Sequence, residues 1–405
     1  MDALGQTVDG GELDKEDIDE WFEDEDSDTE WSDDSDRPID PAEKYAISQL
    51  RVVRETKDYQ LDYLQHALQP GREIIDISPT YQRRLRWPNR KRSLLIESLL
   101  LNIPVPPIFL FERDYNEYEV IDGRQRLDAI SSFLSNDYAL SGLEYWPELN
   151  RKRFRDLPTV LQKGLYRRSL PAIVLLAETE RASRGTLDVR RVLFDRLNTG
   201  GIRLNPQELR NALYPGRFNA LLIRLARSQP FTDIWGIPPY SEGEESSPPD
   251  SLARNVLYAS LADAELVLRF FALRDAILHD KQGSLRVILD RYMAAQADIE
   301  RAELKRMEGL FTRNLSRLND VFGAETFRLK ANGRLSRPLY DALMVALSSN
   351  QSLNIEVNSK AVRQALDRAL GDDDSYEVLV GRGNTIGSVH ERVELAVSIL
   401  SAGSK

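Results

Sequence analysis

The most regular hydrophobic pattern of the chain covers residues 118–134, which read YEVIDGRQRLDAISSFL. The first five of these residues combine the apolar Tyr118, Val120 and Ile121 with two polar residues, as in a partly buried strand. Apolar residues that include Leu127 and Ile130 then recur at helical spacing. The pattern predicts a strand, a tight turn at Asp122 and Gly123, and a helix.

Shorter patterns divide the rest of the first half of the chain. The apolar run LPAIVLLAE, from Leu170 to Glu178, has the length of a strand and predicts a central strand covered on both faces. Further strands are predicted at residues 47–53, 73–77 and 108–112, and helices at residues 59–68, 94–100 and 187–197. The strand at 108–112 turns back into the strand at 118–122 as a hairpin.

Toward the C-terminus the strand signals stop and helical patterns follow one another. Helices are predicted at residues 218–227, 253–278, 285–298, 304–322, 338–347, 362–370 and 389–400. The segment Ala264–Leu273 is apolar nearly all round, which indicates a buried central helix. Arg269 within it is interpreted as an ion-paired residue at the edge of the core and not as a catalyst. Asn205, Pro206 and Glu208 have the form of a helix start.

These patterns predict an α+β domain at residues 41–215, an all-α domain at residues 216–405 and a separate tail at residues 1–40. The tail holds 18 acidic residues against two basic ones, a net charge of about −16. The whole chain has a net charge of −11, so the remaining 365 residues carry about +5. A segment that repels itself and is poor in apolar residues favours disorder.

Two interpretations of this acidic tail remain open. It can be a solubilising tail that contacts nothing. Alternatively, its aromatic residues Trp21, Phe22 and Trp31 dock on a partner, or on the basic groove of the protein itself in imitation of nucleic-acid charge.

The remaining composition narrows the class of protein. The chain contains no cysteine, which excludes disulfides and thiolate metal sites. No apolar run approaches the roughly 18 residues of a membrane helix, and the acidic N-terminus differs from the basic start of a signal peptide. We therefore expect a cytoplasmic protein without a membrane partner.

The turn at Gly123 is the first candidate for chemistry. Glycine allows a backbone conformation closed to other residues and lets a ligand approach the main chain. The free N–H groups that open the next helix favour an anion, and Arg124 and Arg126 add positive charge beside them. The sequence is compatible with a phosphate site, and equally with a plain turn whose arginines are solvated.

A second candidate is a basic cluster with aromatic neighbours. Six basic residues fall between Arg83 and Arg92, interleaved with Tyr81 and Trp87. Arginine pairs with phosphate oxygens and aromatic rings stack on bases, so this composition suits a nucleic-acid groove. The predicted nucleic-acid contacts are Arg84, Arg86, Arg90, Lys91 and Arg92. The alternative is the solvated approach to a helix, with Trp87 half in the core.

Four segments together resemble a known family. They are PTYQRRLRW, LLIESLLLNIPVPPIFL, IDGRQRL and FDRLNTGGIRLNPQELRNALY, at residues 79–87, 94–110, 121–127 and 194–214. In this order they resemble domain-of-unknown-function family number 262, which includes the N-terminal domain of GmrSD-type modification-dependent restriction enzymes. The resemblance covers about residues 45–215 and identifies the chain as a stand-alone member.

The resemblance implies a small ParB/sulfiredoxin-like domain in which an Asp-Gly-x-Gln-Arg turn faces a nucleotide. In this chain Arg124 occupies the position where the family more often has glutamine. By resemblance, the nucleotide-binding residues are Gln82, Arg83, Gly123, Arg124, Asn198, Gly200 and Gly201. Arg126 and Arg83 would neutralise phosphate charge, Asp122 would hold magnesium or orient water, and Gln125 would position that water. The candidate catalytic residues are thus Asp122, Gln125 and Arg126, with Asp122 as the metal ligand.

Members of this family that cut DNA carry a His-Asn-His nuclease domain, which needs clustered histidines. This chain has only His66, His279 and His390, far apart and in unrelated contexts. We therefore expect no nuclease centre. One hypothesis is a nucleotide-binding module, a candidate magnesium-dependent NTPase, that acts as sensor or regulator in a restriction or anti-phage system and reaches DNA directly or through a partner protein. The other is a DNA-binding or protein-interaction protein with a relic nucleotide pocket. The nucleotide, its hydrolysis and the oligomeric state stay open.

Overall fold

The structure is a computed structural model that describes residues 13–27, 54–69, 74–76, 87–176, 205–214, 216–244, 248–296, 299–330, 332–350, 352–381 and 385–404. The chain forms two compact units. Residues 33–203 form one, here called the sheet unit, and residues 1–32 with residues 204–405 form the other, the helical unit. The strand predicted at residues 47–53 and the helix predicted at residues 187–197 lie outside the described residues.

The sheet unit contains a five-stranded mixed sheet in the order β1-β5-β3-β4-β2. The strands are β1 (Arg54–Gln60), β2 (Ile75–Asp76), β3 (Ile108–Asp114), β4 (Glu117–Asp122) and β5 (Ser169–Leu175). β3 and β4 form the predicted antiparallel hairpin, β3 runs parallel to β5, β5 pairs antiparallel with β1, and β2 pairs parallel with β4. The predicted α+β class is confirmed, whereas the ParB/sulfiredoxin-like assignment stays a prediction.

The helices of the sheet unit pack on the sheet through one hydrophobic core. They are α2 (Leu61–Ala67), α3 (Asn89–Leu100), α4 (Arg124–Leu134) and α5 (Thr159–Tyr166). Leu95, Leu127 and Phe133 of these helices share that core with Leu170 and Val174 of β5. This arrangement buries one face of β5 and fixes where α4 begins.

The prediction of a central strand at residues 170–178 is confirmed in position and corrected in burial. β5 lies between β1 and β3 in the sheet. Leu170, Ala172 and Val174 are buried, whereas on the opposite face Pro171 and Ile173 are half-buried and only Leu175 is buried. An apolar run of strand length therefore does not show that both faces of the strand are fully buried.

The helical unit consists of helices, as predicted. Beyond α1, which is described next, they are α6 (Pro206–Leu213), α7 (Arg217–Ala226), α8 (Gln229–Trp235), α9 (Asp250–Arg254), α10 (Val256–Ala259), α11 (Ala262–Leu278), α12 (Leu285–Ala295), α13 (Arg301–Phe322), α14 (Arg337–Ser349), α15 (Ser359–Leu370), α16 (Asp373–Val380) and α17 (Ile386–Leu400). The pattern missed α8 and α16. The single helix predicted at 253–278 is three helices, because the Asn255 side chain caps α10 and Leu261 adopts a left-handed conformation before α11.

The interior of the helical unit confirms the reading of its central helix. α11 is buried along most of its length, from Ala262 to Leu273. Arg269 is ion-paired with Asp341 of α14, and both side chains are fully buried. Arg269 thus lies inside the core and not at its edge.

The acidic tail requires a correction at residues 15–27. This stretch forms α1 (Lys15–Ser27), and its Ile18 and Phe22 side chains are buried in the core of the helical unit. The prediction of disorder is therefore wrong for α1, because a few apolar residues on one face suffice for docking on an existing core. Trp31 and the rest of the tail lie outside the described residues. In the part of the chain that the structure describes, no helix is long and apolar enough to cross a membrane.

Candidate functional site

The turn between β4 and α4 has the conformation that the sequence predicts. Gly123 lies in the left-handed region, with φ of +94°, and forms the N-terminal boundary of α4. A Cβ atom at this position would lie 2.2 Å from Cγ2 of Ile108. Glycine is therefore required twice, by the backbone angle and by the approach of β3. The N-cap residue Gly123 has no side chain that could cap α4, and the partial positive charge at this end of the helix favours an anion.

Asp122 and Arg126 flank this turn and contact each other. Nη2 of Arg126 donates a hydrogen bond to Oδ2 of Asp122 at 2.8 Å. Nη1 of Arg126 donates to the carbonyls of Pro106, at short distance, and Pro107, at 3.2 Å. Burial lowers the pKa of Arg126, and the charge of Asp122 offsets only part of this. Arg126 thus fastens the proline segment before β3 to the start of α4, which is a positioning role; its predicted contact with phosphate stays a prediction.

Gln125 connects the turn to the start of α3. Its side-chain carbonyl accepts a hydrogen bond from the backbone N–H of Trp87 at 3.0 Å. Nζ of Lys91 lies 4.3 Å from the centre of the Trp87 ring, a cation–π contact. The described part of the basic segment, from Trp87 onward, therefore lies beside the Gly123 turn. The predicted role of Gln125 in positioning water stays a prediction.

The three described members of the predicted nucleic-acid set differ in environment. Lys91 is exposed, and Arg90 is exposed and forms an ion pair with Glu144 at 2.9 Å. Arg92 is different: its side chain is 11% exposed, lies 3.4 Å from Asp128, and stacks on the ring of Tyr138 at 4.1 Å. In this conformation Arg92 is less accessible to a phosphate backbone than Arg90 and Lys91, and the predicted nucleic-acid contacts of all three stay predictions.

Sequence reasoning missed a polar network that holds the loop after α4 to α3. The buried Glu97 carboxylate accepts hydrogen bonds from the backbone N–H groups of Glu144, Tyr145 and Trp146, at 2.9 to 3.2 Å. Near the start of α3, the Asn89 side chain donates to the carbonyl of Ala139 at 3.0 Å. The sequence feature that could have indicated this network is the single glutamate inside the apolar run LLIESLL. A charge buried in such a run requires hydrogen-bond partners.

The predicted helix start near residue 205 is confirmed and belongs to the helical unit. The Asn205 side chain accepts from the N–H of Glu208 at 2.9 Å, and the Glu208 carboxylate accepts from the N–H of Asn205 at 2.8 Å. One turn further, buried Arg210 pairs with Asp290 at 2.8 Å. This part of the family-like segment is therefore structural.

The other half of the predicted site cannot be placed. Gln82, Arg83, Arg84, Arg86, Asn198, Gly200 and Gly201 lie outside the described residues. Whether they meet the Gly123 turn stays a prediction.

The described donor set limits how a metal ion could be held. Within the described ranges there is no group of three or more histidine, aspartate or glutamate side chains that could hold a metal ion. Oδ2 of Asp122 already accepts from Arg126. A single carboxylate suits magnesium that arrives with nucleotide phosphates, since Mg²⁺ then keeps water and phosphate oxygens as its other ligands. It does not suit an ion held by the protein alone.

Comparison with protein families gives a match. Residues 64–215 match the family described as GmrSD restriction endonuclease, N-terminal domain. The match contains the Gly123 turn, α3 and α6, and it confirms the resemblance seen in the sequence. Neither the curated proteins nor the solved structures give a match.

Proposed function

We propose that this chain, whose residues 64–215 match the N-terminal domain of GmrSD restriction endonucleases, is a nucleotide-binding sensor or regulatory module. It would act in a restriction-type defence system directed against DNA. The main support for a nucleotide site is the conformation of the turn between β4 and α4. Its left-handed Gly123 starts α4 without a capping side chain of its own, and Arg124 follows directly. Such a turn offers backbone N–H groups and positive charge to a phosphate.

The DNA-directed part of the proposal is supported by the surface next to the turn. Gln125 holds Trp87, and Lys91 and Arg90 follow on the first turn of α3. Exposed cations beside an aromatic ring suit a phosphate backbone with stacked bases. The hydrogen bond from the Trp87 N–H to Gln125 connects the turn with the residues just before α3. A nucleotide bound at the turn would therefore act on the surface proposed to bind DNA.

In this proposal magnesium enters with the nucleotide. Asp122 would supply one carboxylate ligand, and phosphate oxygens and water would supply the others. The magnesium ion would neutralise phosphate charge. Arg126 would keep Asp122 and the proline segment in place, and hydrolysis would require a water held by Gln125.

The test is a titration of the purified chain with ATP, GTP and CTP, with and without Mg²⁺ and DNA, together with an assay of phosphate release. We expect magnesium-dependent binding that Arg124→Ala and Arg126→Ala each weaken at least tenfold. Arg155→Ala is the matched control, because Arg155 is an exposed arginine of the same unit away from the turn. Full binding and turnover by Arg126→Ala would remove that residue from the site, and no binding of any nucleotide by the wild type would overturn the proposal.

One observation favours a second candidate function. The side chains of Asp122, Gln125 and Arg126 all contact protein groups already, as they would in a relic pocket that now only holds loops together. The chain would then be a DNA-binding or protein-interaction protein. Salt dependence separates the two, because backbone binding loses about 0.9 logarithmic units of affinity per phosphate contact for each tenfold rise in salt. Binding of Mg–NTP should instead depend on magnesium and on the base.

A further inference from the structure

The docked N-terminal helix α1 lies outside the family match and belongs to the helical unit. Ile18 and Phe22 insert into the core of this unit, with exposed fractions of 1% and 6%. The ring of Trp21 packs edge-on against Trp235 at the end of α8, with 6.2 Å between ring centroids. The three residues follow the i, i+3, i+4 spacing of one helix face.

Two arginines of the helical unit contact α1. Nη1 of Arg337 donates to the carbonyl of Trp21 at 2.8 Å, and its guanidinium lies 5.2 Å from the Trp21 ring. Arg334 forms an ion pair with Asp17 at 2.8 Å. Arg337 is 3% exposed and lies 3.7 Å from Glu265, so its position is fixed from within the unit. We call the surface of Trp235, Arg334 and Arg337, with α10 and α12 beside it, the α1-binding face.

The sequence of α1 makes a poor helix without this face. Eight of its thirteen residues are acidic, Lys15 is its only basic residue, and no basic residue occupies its last turn. Like charges four residues apart, such as Glu16 and Glu20, destabilise a helix, and negative charge at a C-terminus opposes the helix dipole. Because a helix of this length is marginal on its own, docking on the α1-binding face must supply its stability.

The α1-binding face contains one buried polar group without a partner among the described residues. This group is the indole Nε1 of Trp235. A buried donor without an acceptor costs free energy.

We propose that the α1-binding face is a docking site for an acidic amphipathic helix of a partner protein, and that α1 is its resident occupant, which the partner displaces. The chemistry of the ligand follows from the resident helix. It has an aliphatic residue, an aromatic residue and a second aromatic residue at positions i, i+3 and i+4, with carboxylates that reach Arg334. The inference rests on the helical unit alone and is independent of nucleotide binding.

The experiment uses the full chain and a fluorescent peptide of residues 11–28 as the probe. In the variant Ile18→Ala with Phe22→Ala, the resident helix loses its anchors, and we expect the peptide to bind at least ten times more tightly than to the wild type. The reason is that the resident helix competes at the high effective concentration of a tethered ligand. A Trp21→Ala peptide should not bind, and a peptide with its carboxylates replaced by amides should bind at least tenfold more weakly.

Equal binding of the peptide to wild type and variant, or none to the folded variant, would overturn the proposal. So would equal binding of the amide peptide, since acidic ligands would then have no advantage. If the variant does not fold, a protease site inserted after Ser35 tests whether α1 can leave the α1-binding face. After cleavage of the folded protein, the N-terminal fragment should leave on dilution and rebind on concentration. A fragment that leaves only in denaturant would make α1 a permanent part of the core, contrary to the proposal.

Discussion

The sheet unit and the helical unit satisfy their buried charges in different ways. In the sheet unit, Glu97 accepts three backbone N–H groups of a loop, and Arg126 donates to two backbone carbonyls of another. At the centre of the helical unit, Arg269 pairs with Asp341, and Glu265 lies within 4 Å of arginine nitrogens from three positions: 210, 269 and 337.

The difference follows from the backbone. A helix uses its own N–H and C=O groups except at its ends, so the charges at the centre of packed helices pair mainly with one another, although Arg337 also donates to the carbonyl of Trp21. Loops beside a sheet leave backbone groups without partners, and a buried side chain can take them up. Charges in the sheet unit therefore shape the loops around the candidate site, whereas charges in the helical unit fix how helices pack.

The largest effect is expected from breaking the central ion pair. Asp341→Ala removes the hydrogen-bonded partner of buried Arg269 and leaves it only the more distant Glu265, at 3.9 Å. Burial lowers the pKa of Arg269, but Asp341, with Glu265 and Tyr340, raises it, so that its pKa lies above the ordinary value. We expect a loss of about 3–5 kcal/mol in the free energy of unfolding, measured with urea.

The control for this prediction is the exposed pair Arg224–Glu308, at 2.8 Å in the same unit. Glu308→Ala should cost no more than about 1 kcal/mol. The double variant Arg269→Met with Asp341→Leu should recover most of the stability, since it removes both charges. A loss of the same size from Asp341→Ala and Glu308→Ala would contradict the distinction between buried and exposed pairs.

The next effect concerns the Gly123 turn. Gly123→Ala places a methyl group at a left-handed position and 2.2 Å from Ile108. We therefore expect the free energy of unfolding to fall by about 2–4 kcal/mol and nucleotide binding to be lost. Gly164→Ala is the matched control, because Gly164 lies in α5 with open space at its Cβ position. It should be neutral or stabilise the unit by about 0.5–1 kcal/mol. Thermal unfolding distinguishes the two, and similar effects would show that the turn is not constrained.

A smaller and more local effect is expected at Glu97. Glu97→Gln replaces one carboxylate oxygen with an N–H donor that faces the N–H of Glu144, and it removes the charge that strengthens the other two bonds. We expect a loss of about 1–2 kcal/mol. Hydrogen exchange of the Tyr145 and Trp146 amides should accelerate, while amides of β5 keep their protection. Uniform acceleration would mean that Glu97 supports the whole unit and not this loop.

The smallest effect is a pH dependence in the helical unit. Burial raises the pKa of Glu208 to about 7, and the Asn205 N–H that it accepts offsets part of the rise. Because the folded pKa lies above the ordinary value of about 4.5, this contribution to stability is present below that pH and is lost as pH rises through about 7. Glu208→Gln keeps the capping arrangement and cannot ionise. The Tm of wild type relative to this variant should fall by about 1–3 °C between pH 4.5 and pH 8; a constant difference would contradict the shift.

Local sequence determined the elements whose cause is local. Alternating and helical periodicity predicts the β3–β4 hairpin, the Gly123 turn and α4, since the turn needs a glycine and the helix needs one apolar face. The capping arrangement at Asn205 is readable for the same reason: all of its partners lie within three residues.

Tertiary structure decided the partners that are distant in sequence. Arg126 and Arg92 look alike in a basic sequence, yet one holds the carbonyls of Pro106 and Pro107 and the other stacks on Tyr138. The acidic composition of α1 predicts disorder, but Ile18 and Phe22 are buried in a core that is otherwise formed by residues from Phe218 onward. Composition and periodicity describe what a segment can do alone, and burial against another segment determines which of its side chains remain available to a ligand.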